Sequence, residues 1–143
     1  MEDASEVALS AGQLATLRDV LSEHDVRFAV LFGSATRPEG GPNDVDLAVE
    51  FETVQPGDEG YLTAYLDLHT ILEEELGVTV DLVDVQSADE RFTAVIFEDG
   101  VFVYGSQERS EELAARVRDS YPSTEDARER VAAAVTRLKE NIP

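Results

Sequence analysis

The sequence contains no cysteine and no tryptophan. Without thiols the chain can form neither a disulfide nor a thiolate metal site, and it has no cysteine nucleophile. It also lacks the glycine-rich patterns of P-loop proteins, dinucleotide-binding folds and serine hydrolases. Any site must therefore be built from oxygen and nitrogen groups placed by some other motif.

Basic residues are scarce. The chain has 11 of them against 31 acidic residues, for a net charge of −20, and Lys139 is the single lysine. Such a surface is expected either where nucleic acid is mimicked or repelled, or in a protein adapted to high salt, where ions screen self-repulsion. We favour the halophilic interpretation. On either interpretation the charge argues against tight binding to duplex nucleic acid through neutralised phosphates.

Long hydrophobic runs are also missing. None approaches the roughly 18 residues of a membrane span, and the acidic N-terminus lacks the pattern of a signal peptide. We therefore expect a cytoplasmic protein. A length of 143 residues with 43% hydrophobic content is enough for one domain with one core.

Hydrophobic periodicity predicts alternating strands and helices. This alternation indicates an α/β fold: a mixed central sheet of about four strands with helices packed on it, plus C-terminal helices. We expect residues 1–105 to form the core and residues 106–143 a C-terminal helical segment that packs on the core or on a partner. The predicted helices are 10–23, 61–76, 88–97, 110–120 and 126–140, and the predicted strands are 26–33, 44–51, 78–85 and 101–105.

Two carboxylates interrupt the predicted strand DVDLAVEF. Asp44 and Asp46 are two residues apart, so they project from the same face of a strand and would repel each other without a cation between them. A hard divalent cation such as Mg²⁺, with oxygen ligands, suits the pair. The motif alone is weak, because about seven acid-x-acid pairs are expected by chance at this acid content; two solvated charges on an edge strand would look the same.

A glycine–serine pair precedes these carboxylates by about ten residues. Gly33 and Ser34 close one predicted strand and open a turn or helix, where free backbone N–H groups and a hydroxyl favour an anion. Such a pair is often only a turn. A phosphate-binding turn shortly before a metal-binding pair is more specific than either part.

A third acid, Asp81, lies in the apolar strand VTVDLVDV. It could face water at a sheet edge or be a buried carboxylate with a hydrogen-bond partner. If this strand lies beside the strand of Asp44 and Asp46, the three carboxylates suit a two-metal site for in-line phosphoryl transfer. Asp81 could also accept the proton of an acceptor hydroxyl.

The stretch LFGSATRPEGGPNDVDLAVEF resembles the DNA polymerase β-type nucleotidyltransferases, whose motif is Gly-Ser followed by Asp-x-Asp. More narrowly, the chain resembles a minimal nucleotidyltransferase (MNT), the antitoxin of HEPN/MNT toxin–antitoxin pairs. VTVDLVDV is similar to the family's strand with a third Asp, and FTAVIFEDGVFVYG to its closing helix and strand. The resemblance covers roughly residues 10–105.

This resemblance implies a role for each residue that matches the motif. Gly33, Ser34 and Arg37 would bind the nucleotide, and Asp44, Asp46 and Asp81 would be catalytic and would hold two Mg²⁺ ions. It also implies transfer of a nucleoside monophosphate, with ATP as the expected donor, to a hydroxyl such as a tyrosine of a cognate HEPN toxin.

Two main hypotheses remain open at this stage, and a free-standing transferase acting on a small molecule or on RNA is a third possibility. The chain is either an active nucleotidyltransferase that modifies a HEPN-type toxin, or a catalytically idle antitoxin that neutralises its partner by binding. The intact set of three carboxylates favours the enzyme, because a pure binding protein has no need of crowded like charges.

Overall fold

A computed structural model describes residues 7–36, 44–120 and 135–136. It contains a four-stranded sheet with helices on both faces, which confirms the predicted α/β class and mixed sheet. The elements in chain order are α1 (Ala11–Glu23), β1 (Val26–Phe32), a 3₁₀ helix (Gly33–Thr36), β2 (Asp44–Phe51), α2 (Tyr61–Leu76), β3 (Thr79–Asp84), α3 (Glu90–Asp99), β4 (Val101–Gly105) and α4 (Gln107–Ser120).

Most predicted boundaries agree with these elements, and the differences have local causes. The helix predicted from residue 88 begins at Glu90, because Asp89 is its N-cap and accepts a hydrogen bond from the Arg91 amide. The helix predicted from residue 110 begins earlier, at Gln107, because Ser106 caps it: its hydroxyl accepts the Arg109 amide at 3.1 Å. The helix predicted at 126–140 lies outside the described residues except for Val135 and Thr136, which are helical.

The strand order is β3-β2-β1-β4. β1 is antiparallel to both of its neighbours, whereas β2 and β3 are parallel. The helix α2 makes the crossover that a parallel pair requires. This pairing places the beginnings of β2 and β3 side by side.

The two faces of the sheet have separate apolar cores. On the first face α1 and α2 pack against alternate strand residues such as Leu31, Leu47 and Leu82. On the second face α3 and α4 contribute Ile96 and Leu113 to a smaller cluster. Because β1 is buried on both faces, all of its residues except Arg27 are apolar. Among the described residues, none of the helices is both long and apolar enough to cross a membrane.

Side chains from α2 cover the open edge of β3. The Tyr65 hydroxyl donates to the Leu82 carbonyl at 2.6 Å, and Nε2 of His69 lies 2.9 Å from the Val80 carbonyl oxygen. A carboxylate oxygen of Glu73 accepts the Val80 amide at 2.9 Å. These bonds occupy backbone groups that would otherwise be open to pairing with another chain.

A buried ion cluster holds α4 against the sheet. Glu50, 1% exposed, accepts from Nε of Arg109 at 2.9 Å and from Nη1 of Arg27 at 3.2 Å. Gln86 also donates to this carboxylate. Burial raises the pKa of Glu50, but the hydrogen bonds and charges of these partners outweigh burial and hold it below its usual value.

Candidate active site

β2 presents its two aspartates at the start of the second face of the sheet. Val45 and Leu47 alternate with them and point into the core of the first face. Asp44 is exposed, whereas Asp46 is only 5% exposed. The same strand therefore buries apolar residues on one side and offers carboxylates on the other.

β3 brings the third aspartate beside the pair. In the parallel register Asp46 is opposite Asp81, and Asp44 is opposite Thr79. Paired residues on neighbouring strands project to the same face, with the strands about 4.8 Å apart. Asp81 is half-buried and lies on an edge strand. The condition set by the sequence, that the strands of Asp46 and Asp81 be neighbours, is met.

Gly33 closes β1 directly against Asp46. Its φ of +72° lies in the left-handed region, and a Cβ built there would overlap Oδ2 of Asp46. Only glycine satisfies both requirements without displacing the carboxylate. Gly33 and Ser34 then begin the 3₁₀ helix, so the chain turns at the predicted position.

The described side chains do not converge into a metal cage. Within residues 7–36, 44–120 and 135–136, no group of three His, Cys, Asp or Glu side chains is arranged to hold a metal ion. The donor chemistry nevertheless suits Mg²⁺, because the neighbouring groups are carboxylate oxygens beside a glycine that leaves room for Asp46. Arg37 lies outside the described residues, and the assignment of all six site residues stays a prediction.

An aromatic pair forms an apolar wall beside Asp46, which sequence reasoning missed. Phe32 is the register partner of Asp46 on β1, and its ring meets that of Phe92 edge to face, with centroids 5.7 Å apart. Both rings are half-buried on the second face. The antiparallel register that joins Phe32 to Asp46 is a tertiary feature, so no local pattern pointed to it.

Comparison with known proteins identifies the family. A family model described as polymerase beta, nucleotidyltransferase matches residues 15–109, which is about two thirds of the chain. The chain belongs to the polymerase β nucleotidyltransferase family. The matched segment includes every predicted site residue, and the chain is accordingly a nucleotidyltransferase. No curated protein matches it.

Solved structures of toxin–antitoxin complexes share the fold of this nucleotidyltransferase. One is a toxin–antitoxin with AMP-PNP (22% identity, TM-score 0.64, covering 86% of this chain and 98% of the other). A second is a tri-AMPylated HEPN toxin of Shewanella oneidensis in complex with its MNT antitoxin (21%, 0.61, 87% and 96%). A third is the MntA–HepT complex (21%, 0.60, 87% and 97%).

Proposed function

We propose that this nucleotidyltransferase transfers AMP from ATP to a tyrosine hydroxyl of a HEPN-type toxin, and that it thereby acts as an antitoxin. The observation that carries the proposal is the register: it places Asp46 next to Asp81, with Asp44 two residues away and Gly33 against Asp46. The structural neighbours support the choice of partner and nucleotide, since they include an AMPylated HEPN toxin with its MNT and a complex with AMP-PNP.

Each residue has a distinct role in this reaction. Gly33 lets the triphosphate approach the backbone, and Ser34 and Arg37 bind its oxygens. Asp44, Asp46 and Asp81 would hold two Mg²⁺ ions, which supply charge for the triphosphate and the leaving group when bound. Asp44 is exposed and Asp81 half-buried, so neither carboxylate is enclosed by the fold.

The proposed transfer needs no reactant other than ATP and the acceptor hydroxyl. The acceptor oxygen attacks the α-phosphorus of ATP, the bond from that phosphorus to the bridging oxygen breaks, and pyrophosphate leaves. Asp81 accepts the proton that the hydroxyl loses. The apolar wall of Phe32 and Phe92 borders Asp46 on the side of β1.

We also propose residues 1–105 as the catalytic core. The described part of the C-terminal segment supports this division, because α4 packs on the finished sheet through Leu113 and through the pair of Arg109 and Glu50.

The test uses ATP labelled at the α-phosphate, Mg²⁺ and high salt. The protein is incubated alone and with a HEPN protein encoded next to its gene, and label on protein is followed. Asp44→Ala/Asp46→Ala is compared with Asp19→Ala/Asp119→Ala, which removes two exposed helical aspartates instead. We expect label on the HEPN protein with wild type and the control pair, none with Asp44→Ala/Asp46→Ala, and none when EDTA replaces Mg²⁺.

A different result would favour the alternative hypothesis, a catalytically idle antitoxin. If none of the four nucleoside triphosphates gives label, yet wild type forms a stable complex with the HEPN protein, neutralisation is by binding alone.

A further inference from the structure

The helix α2 exposes two large apolar side chains that the core does not use. Leu62 is 65% exposed and Leu66 is 51% exposed, one helical turn apart. On the other side of the same helix Leu68, Leu72 and Leu76 are buried in the core. Among the described residues, neither leucine belongs to an apolar core cluster, and apolar side chains presented together in this way are typical of protein contacts.

Negative charge surrounds this pair. The helix carries Asp67, Glu73, Glu74 and Glu75 and has neither lysine nor arginine, and the two acids just before it are exposed. A partner that covers Leu62 and Leu66 must place its own side chains close to these carboxylates. Lysine and arginine on the partner complement them, whereas acidic side chains would be repelled.

The same helix leads to the candidate active site. Glu73 lies seven residues after Leu66, about 10 Å along the helix axis at 1.5 Å per residue. Beyond it an open depression of about 430 Å³ is lined by Glu73, Gly77, Val78 and Thr79. Thr79 is the register partner of Asp44. α2 lies on the first face of the sheet and the carboxylates project from the second, so a protein that lies along α2 reaches them around the edge of β3, past Thr79.

We propose that the α2 surface, defined by Leu62, Leu66, Asp67, Glu73 and Glu74, docks the protein that receives AMP. The partner presents apolar side chains flanked by lysine or arginine, and its acceptor segment enters the depression beside Asp44. The inference rests on the proposed function, because that function requires a protein acceptor at this site. A second copy of this chain is the poorer occupant, since each copy brings a net charge of −20.

The experiment measures KM for the HEPN protein in the labelling assay. Leu62→Ser/Leu66→Ser removes the apolar contact from an exposed surface, so folding is preserved. We expect KM to rise at least tenfold while the Kd for ATP and the midpoint of urea unfolding stay unchanged. A structural defect would move all three quantities.

A charge-matched pair tests the electrostatic part. Asp67→Lys/Glu74→Lys changes the net charge by +4, and so does Glu111→Lys/Asp119→Lys on α4, on the other face of the sheet. Only the α2 pair should raise KM, because only it reverses charge where the partner lies.

The outcomes separate this inference from the proposed function. If wild type labels the HEPN protein and both α2 variants do so with unchanged KM, the docking surface is wrong and the function stands. If wild type binds without labelling and the α2 variants lose binding by calorimetry, the surface stands and the function fails. Absence of both label and binding with wild type overturns both. A wild-type dimer that Leu62→Ser/Leu66→Ser dissociates in sedimentation would assign the surface to self-association instead.

Discussion

At the scale of single residues, Gly33 and Asp46 depend on each other. The backbone at Gly33 has φ of +72°, and the space that a Cβ would fill is taken by the Asp46 carboxylate. Glycine is thus required at position 33 for two separate reasons: the left-handed backbone conformation and the close approach of Asp46. At Gly77 only the backbone conformation requires glycine, since its φ is +71° and nothing lies within 4 Å of a Cβ built there.

We predict that Gly33→Ala abolishes nucleotide binding by displacing Asp46. Gly77→Ala should leave it intact, although both variants lose about 1 kcal/mol of unfolding free energy from the left-handed backbone. Calorimetry with ATP and Mg²⁺ measures the first effect, and urea unfolding the second. Equal ATP affinity in the two variants would show that contact with Asp46 is unimportant.

At the scale of elements, helices complete the sheet on both edges. α2 covers β3 as described, and on the far edge Arg18 of α1 donates to the Val103 carbonyl of β4 at 2.9 Å. Each edge strand is short, which also limits pairing with other chains. Edge protection of this kind uses side chains of the same chain to occupy backbone groups of both edge strands.

We predict that Tyr65→Phe lowers the unfolding free energy by about 1 kcal/mol, because the Leu82 carbonyl loses its donor. Tyr104→Phe is the matched control, since the Tyr104 hydroxyl makes no hydrogen bond with a described residue. Urea unfolding of both variants tests the difference. A control that loses as much stability as Tyr65→Phe would refute the edge interpretation.

The cluster around Glu50 gives a pH-dependent prediction for the attachment of α4. Glu50→Gln should cost about 3 kcal/mol, because the two arginines lose their buried counter-charge. In wild type the folded pKa of Glu50 lies below its ordinary 4.5. The unfolded chain therefore takes up this proton at higher pH than the folded chain does. The contribution is complete above pH 4.5 and is lost as pH falls through the lowered pKa.

Unfolding free energies measured from pH 3 to 7 test this sign. The stability difference between wild type and Glu50→Gln should be largest near neutral pH and should shrink in acid. A difference that is constant with pH would mean that the charge of Glu50 is not what stabilises the cluster.

At the scale of the whole molecule, the main feature is the excess of negative charge. A net charge of −20 on 143 residues means that repulsion between surface carboxylates opposes the compact state at low ionic strength. Salt shortens the screening length from about 10 Å at 0.1 M to about 3 Å at 1 M. Concentrated salt is therefore expected to weaken this repulsion.

We predict that Tm rises as KCl is increased from 0.1 M to 2 M. A variant with four exposed acids neutralised should show a shallower rise and a higher Tm in low salt, since less repulsion remains to be screened. Calorimetric scans at several KCl concentrations measure both. Parallel salt dependences in the two proteins would contradict the repulsion argument. The neutralised positions are Glu74→Gln, Glu75→Gln, Glu111→Gln and Asp119→Asn.

The sequence alone determined what depends on short stretches of chain. Periodicity predicted the strands and helices of the described core, because the positions that must be apolar repeat locally. The spacing of Gly33-Ser34 and Asp44-x-Asp46 pointed to the family that the family model then matched.

Only the tertiary structure decided which distant residues are neighbours. Parallel pairing puts Asp81 beside Asp46, and antiparallel pairing puts Phe32 there. Arg109 reaches Glu50 across 59 residues of sequence. A local sequence pattern does not predict these contacts, because strand order and register depend on how the apolar faces of the sheet are buried. For the same reason the exposure of Leu62 and Leu66 became visible only once the other side of α2 was packed.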